Sequence, residues 1–111
     1  MTRTTNVAEV TTTDFHTEVL GADRPVLVKF TATWCGPCRQ LTPVLAAVAE
    51  EEADRLKIVE IDVDRNPDIP VRYGILATPT LMVFDSGEPV KSLVGARPKR
   101  RLLEELADVL G

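Results

Sequence analysis

The sequence predicts an α/β fold: a central mixed sheet of five strands with helices on both faces. Three features of the chain point to it. RPVLVKFTA (24–32) and LKIVEIDVD (56–64) are β-branched and nearly continuous in hydrophobicity, as expected of strands covered on both sides. A long helical pattern separates them, which suits a parallel β-α-β unit. PTLMVFD (79–85) and PVKSLVG (89–95) flank the turn DSGE (85–88), so the last two strands form an antiparallel hairpin.

In chain order, NVAEV (6–10) alternates weakly and predicts a short edge strand. TTDFHTEVL (12–20) predicts a helix capped by Thr12 or Thr13, with Phe15, Val19 and Leu20 on one face. After WCGPC (34–38), the residues Cys38, Leu41, Leu45, Val48 and Ala49 recur at helical spacing. Pro43 falls inside that pattern and predicts a kink, because it removes one backbone donor. NPDIPVRYGI (66–75) predicts a turn or short helix. RPKRRLLEELADVLG (97–111) predicts a closing amphipathic helix, with Leu102, Leu103, Leu106, Val109 and Leu110 inward and its Arg and Glu residues in solvent.

A length of 111 residues suits a single domain over 1–111, and 44% apolar with 27% charged residues is the balance of a folded chain. The net charge of −4 gives no electrostatic case for nucleic acid or an anionic membrane. MTRTTNVAEVTTTDF has no apolar core of a signal peptide, and no apolar run approaches the roughly 18 residues of a membrane span. The expectation is a cytoplasmic protein.

Both cysteines, Cys35 and Cys38, lie in one short stretch. As a staple they would close a four-residue loop, stabilising by only about 2 kcal/mol in the chain-entropy account. A structural zinc site wants four Cys or His ligands. This chain has two Cys and one His, and His16 falls on a different helix, where it reads as a surface residue. Redox chemistry has a better physical basis. Cys35 precedes a helix, where free N–H groups and the positive end of the dipole favour thiolate over thiol. Gly36 and Pro37 shape the turn, and proline fits the first turn of a helix. Cys38, one turn further in, points toward the core. Cys35 is therefore the expected nucleophile and Cys38 the expected resolving thiol.

WCGPC, together with VLVKF (26–30), IDVDRNP (61–67), YGILATPTLMVF (73–84), GEPV (87–90) and LVGA (93–96), resembles the thioredoxin family along nearly the whole chain. The resemblance implies a thioredoxin fold, protein-disulfide reductase activity and no bound cofactor. Electrons would reside in a Cys35–Cys38 disulfide and come indirectly from NADPH through a thioredoxin reductase. Oxidised proteins would be the substrates and the chain a monomer. It also implies an exposed Trp34, a cis-proline at Pro79, and a flat docking surface of Gly36, Pro37, Ala77, Thr78, Val94, Gly95 and Ala96. Composition alone would favour a trans Pro79 and a core Trp34. Gly-Pro between the cysteines goes with reducing members of the family.

Lys29 and Glu60 are lone charges in apolar runs of the two central strands. By resemblance, Lys29 stands where the family has a buried Asp and Glu60 where it commonly has a Lys, so the pair looks charge-exchanged. Two outcomes stay open: a charged Lys29 lowering the pKa of Cys38, or Glu60 accepting its proton through water. Thr31, where many relatives have Trp, is a second departure. The rival to a reductase is a binding or chaperone-like module of the same fold using the Pro79 and Gly95 surface. A third reading is a reductant dedicated to one narrow target, which Lys29 and the Arg97–Arg101 cluster would select.

Overall fold

The computed structural model describes residues 7–111. Its strands are β1 (Ala8–Glu9), β2 (Val26–Thr31), β3 (Lys57–Asp62), β4 (Thr80–Asp85) and β5 (Glu88–Val94). Helices are α1 (Gly36–Glu51), α2 (Asp68–Arg72), α3 (Lys99–Glu105) and α4 (Ala107–Leu110), with one wide helical turn at His16–Leu20. The sheet order is β1-β3-β2-β4-β5. β1, β3 and β2 run parallel, while β4 and β5 are antiparallel additions. The two long apolar runs are thus adjacent and central. Asn6, the first residue of the expected edge strand, lies outside the described residues.

Alternation along the strands builds a core on each face. Val26, Val28, Phe30, Val59, Ile61, Met82 and Phe84 pack against Phe15, Val19 and Ile69. Phe15, Tyr73 and Phe84 meet there with ring centroids 5.0–5.9 Å apart. Leu27, Ile58, Leu81 and Val83 pack on the other face, against Leu41, Leu45 and Val48 of α1 and Leu102 of α3. Ser86 and Gly87 have φ of 55° and 83°, the paired positive values of a type I′ turn. At the outer edge, β5 exposes Glu88, Pro89 and Val90, and its register with β4 shifts between Val83 and Phe84.

Three local expectations are corrected. Neither Thr12 nor Thr13 caps a helix: the Thr12 N–H donates to Asn66 Oδ1 at 2.9 Å, and the helical turn starts only at His16. Thr12 Oγ1 also donates to Asn66 Oδ1, at 3.4 Å, so the would-be cap serves a distant partner. The closing helix is broken at Leu106 (φ −94°, ψ 0°), whose fully buried side chain anchors the junction of α3 and α4. Arg97 does not belong to a solvated helix face; its side chain is only 5% exposed. At Pro43, α1 continues as one helix to Glu51.

Candidate active site

Cys35 occupies the N-cap of α1 with extended backbone (φ −96°, ψ 108°), at the carboxyl end of β2. Its Sγ accepts the backbone N–H of Cys38 at 3.1 Å, so one free donor of the helix start is aimed at the sulfur. The same donor would stabilise a thiolate there. Cys35 and Cys38 are joined as a disulfide, with Cα atoms 5.3 Å apart. Both are buried, at 3% and 1% residue exposure, so the expected asymmetry between them is slight in this oxidised state. Pro37 lies in the first turn of α1, where its missing N–H breaks no helical bond. Gly36 is not demanded by sterics: an added Cβ would meet only the end of the Arg39 side chain, at 3.9 Å. Its effect is to leave the surface beside Cys35 bare.

Trp34 is 69% exposed, and its Nε1–H donates to Asp64 Oδ2 at 2.8 Å, which fixes the orientation of the indole. It shares a shallow cleft of about 170 Å³ with Leu76, Ala77 and Thr78. The Thr78–Pro79 bond is cis. The Thr80 hydroxyl donates to Ala77 O at 2.6 Å, and the Gly95 N–H donates to Pro79 O at 2.9 Å. Two segments distant in sequence are thereby tied into one wall. On that wall Ala77 and Val94 are exposed, Thr78, Gly95 and Ala96 are half-buried, and Pro79 is buried.

Lys29 pairs directly with Glu60 in the β2–β3 register. Its ammonium lies 3.6 Å from Glu60 Oε1 and donates to Thr42 Oγ1 at 3.3 Å, with only 3% of the side chain exposed. Burial drives the Lys29 pKa below 10.5, opposed by the Glu60 charge and hydrogen bond. Glu60 is 36% exposed and faces an open cleft of about 400 Å³, lined also by Lys29, Thr31, Thr42, Asp62 and Cys38. The second cysteine and the Lys29–Glu60 pair therefore border one open cleft.

Sequence reasoning missed three members of this site. Asp62 is 7% exposed and accepts the N–H groups of Asp64 and Arg65 at 2.9 and 3.3 Å, which turns the chain at the cleft rim. Period-2 spacing from Glu60 could have found it. Thr42 follows Cys38 by one helical turn, on the same face of α1. Leu76, 97% exposed beside Trp34, gave no signal, because exposure of a loop leucine is not written in its neighbours. His16 is exposed and apart from the site, as expected. No group of three or more His, Cys, Asp or Glu able to hold a metal occurs among the described residues. Nor is any described helix long and apolar enough to cross a membrane.

A disulfide-forming Cys-x-x-Cys pair at the start of a helix, at the carboxyl end of a mixed sheet, defines a thiol–disulfide oxidoreductase. Residues 6–108 match the family profile described as Thioredoxin. The chain is 50% identical over 97 residues to a thioredoxin of Porphyra purpurea, covering 87% of this chain and 91% of the relative. It is 47% identical over 102 residues to a thioredoxin of Mycobacterium tuberculosis, covering 92% and 88%. A bifunctional thioredoxin reductase/thioredoxin of Mycobacterium leprae is 44% identical over 102 residues; the match takes in 92% of this chain but only 22% of that protein. This chain belongs to the thioredoxin family, and its Cys35–Cys38 pair performs dithiol–disulfide exchange.

Proposed function

We propose that residues 1–111 act as one cytoplasmic, monomeric domain that reduces protein disulfides, with Cys35 as nucleophile and Cys38 as resolving thiol. The single observation that carries the assignment of roles is the Cys35 sulfur at the N-cap of α1, accepting the Cys38 N–H. In the reduced protein the Cys35 thiolate attacks one sulfur of a substrate disulfide. A Cys35–substrate bond forms, the substrate S–S bond breaks, and the first substrate sulfur leaves as thiolate. Cys38 then loses its proton and attacks the Cys35 sulfur. The Cys35–Cys38 disulfide forms and the second substrate thiolate departs, so two electrons have passed to the substrate.

Proton loss from Cys38 is assisted from the cleft. The Lys29 ammonium favours the Cys38 thiolate by its charge, and the half-exposed Glu60 carboxylate takes the proton through solvent. Their shared cleft with Cys38 supports both roles. The wall of Trp34, Ala77, Thr78, Pro79, Val94, Gly95 and Ala96, beside Gly36 and Pro37, receives an extended segment of the substrate. Recharging falls to a thioredoxin reductase that draws on NADPH. The Mycobacterium leprae relative, whose name joins the two activities, supports that partner.

The test is turnover of an insulin disulfide by the chain with a chemical reductant, beside Cys35→Ser and Cys38→Ser. Cys35→Ser is expected to abolish turnover, and Cys38→Ser to accumulate a mixed disulfide with substrate through Cys35. Trapping through Cys38 instead would reverse the roles. Biological activity retained by the double serine variant would favour the non-catalytic binding module.

A further inference from the structure

Arg97 divides its guanidinium between two backbone carbonyls and one carboxylate. It lies between the end of β5 and α3, with 5% of its side chain exposed. One Nη donates to Val94 O at 2.6 Å and to Gly95 O at 3.1 Å, and Nε donates to Gly95 O at 3.3 Å. The other Nη is anchored on Glu105 Oε1 at 2.7 Å, across α3. A planar fork with fixed donors sets the orientation of two successive carbonyls in a way no ammonium can.

The segment so held has a particular position. Gly95, at φ +97°, leaves the strand in a backbone conformation that side chains disfavour, and its N–H is bonded to Pro79 O. Val94, just before it, is 64% exposed. On the far side, Ala96 and Arg97 border a groove of about 260 Å³ with Gln40 of α1. Gly95 is thus gripped from both ends, by Pro79 through its N–H and by Arg97 through its C=O.

We propose that Arg97 is the positioning residue of the docking wall: by turning the Val94 and Gly95 carbonyls inward it presets the Val94–Ala96 edge for an extended substrate chain. The inference rests on the reductase reading. An oxidised protein pays less ordering entropy on a preset edge than on a loose one. A small disulfide that reaches Cys35 without lying along the wall gains nothing from Arg97.

That difference supplies the test. KM and kcat for an insulin disulfide, and the rate with a small aromatic disulfide, are measured for the unaltered protein, Arg97→Leu, Arg97→Lys and Glu105→Gln, all well below their unfolding temperatures. Arg97→Leu is expected to raise the insulin KM about tenfold, the scale of one lost charge-assisted hydrogen bond, with kcat and the small-disulfide rate within about twofold of the parent. Arg97→Lys, which keeps the charge and loses the fork, is expected to raise KM about threefold or more. Glu105→Gln leaves both carbonyls held and is expected to leave KM within about twofold. An unchanged KM in Arg97→Leu would overturn the proposal, as would insulin and small-disulfide rates falling together. If Arg97→Leu does not fold, the same two outcomes in Arg97→Lys decide. The small-disulfide rate of the unaltered protein reads the redox assignment by itself: its absence would remove the reductase reading and this inference with it.

Discussion

Lys29 and Arg97 are both buried cations, with side chains 3% and 5% exposed, and they are held in different ways. Arg97 has its donors matched to two carbonyls and a carboxylate, all within 3.3 Å. Lys29 has a hydroxyl at 3.3 Å and a carboxylate at 3.6 Å, both long contacts for an ammonium. One site is built for geometry. The other leaves a charge under-compensated, which is why burial moves the pKa of Lys29. A fixed fork suits a wall that must not move. A weakly held ammonium beside an open cleft suits the role proposed for Lys29, which favours the Cys38 thiolate by its charge.

The sharpest way to break the contrast is to remove each cation in turn. Arg97→Ala strands two carbonyls and is expected to destabilise by about 2–4 kcal/mol in urea unfolding. Lys29→Met leaves only the hydrated Glu60 carboxylate behind, so its expected effect is near zero or stabilising by up to about 1 kcal/mol. Comparable losses in both would show that Lys29 is as well satisfied as Arg97. Glu60→Gln falls between them, at about 1–2 kcal/mol, because it leaves the buried ammonium with Thr42 alone.

Smaller effects come from pH. The folded pKa of Lys29 lies below its free value of 10.5, so between the two the unfolded chain holds more protons and stability rises with pH. Below that window the full cost of burying the ammonium is present. Urea midpoints from pH 7 to 10.5 should show this rise in the parent and lose it in Lys29→Met. The hydrogen bond from Arg97, with charge from Arg97 and Arg101, holds the Glu105 carboxyl below 4.5. Its contribution is therefore present above that value and lost as pH falls through the folded pKa. Arg97→Leu should flatten that acid limb. In turnover, Lys29→Met should displace the pH–rate profile toward higher pH, because one positive charge bordering the cleft is gone.

Sheet, helix order and redox pair were legible because they rest on local signals: continuous apolar strands, a period of 3.6 through α1, and cysteines at a strand-to-helix junction. The Lys29–Glu60 contact was legible too, since two lone charges in adjacent parallel strands have few other partners. Arg97 was not. Its neighbours Pro98, Lys99, Arg100 and Arg101 read as a solvated basic run, and only the bend at Gly95 turns this one side chain inward. The failed Thr12 cap has the same origin. Asn66 is 54 residues away, and no local pattern reveals that it takes the Thr12 N–H.

The outer strand of the sheet has one further consequence. β5 leaves a row of backbone groups open, to which another extended chain could add itself. Pro89 offers no N–H, the register shift at Val83/Phe84 twists the start of the strand, and Lys91 is drawn toward Asp108 of α4 at 3.2 Å. At the opposite rim, β1 is two residues long. Among the described residues, both rims of the sheet are thus blunted against the addition of another strand.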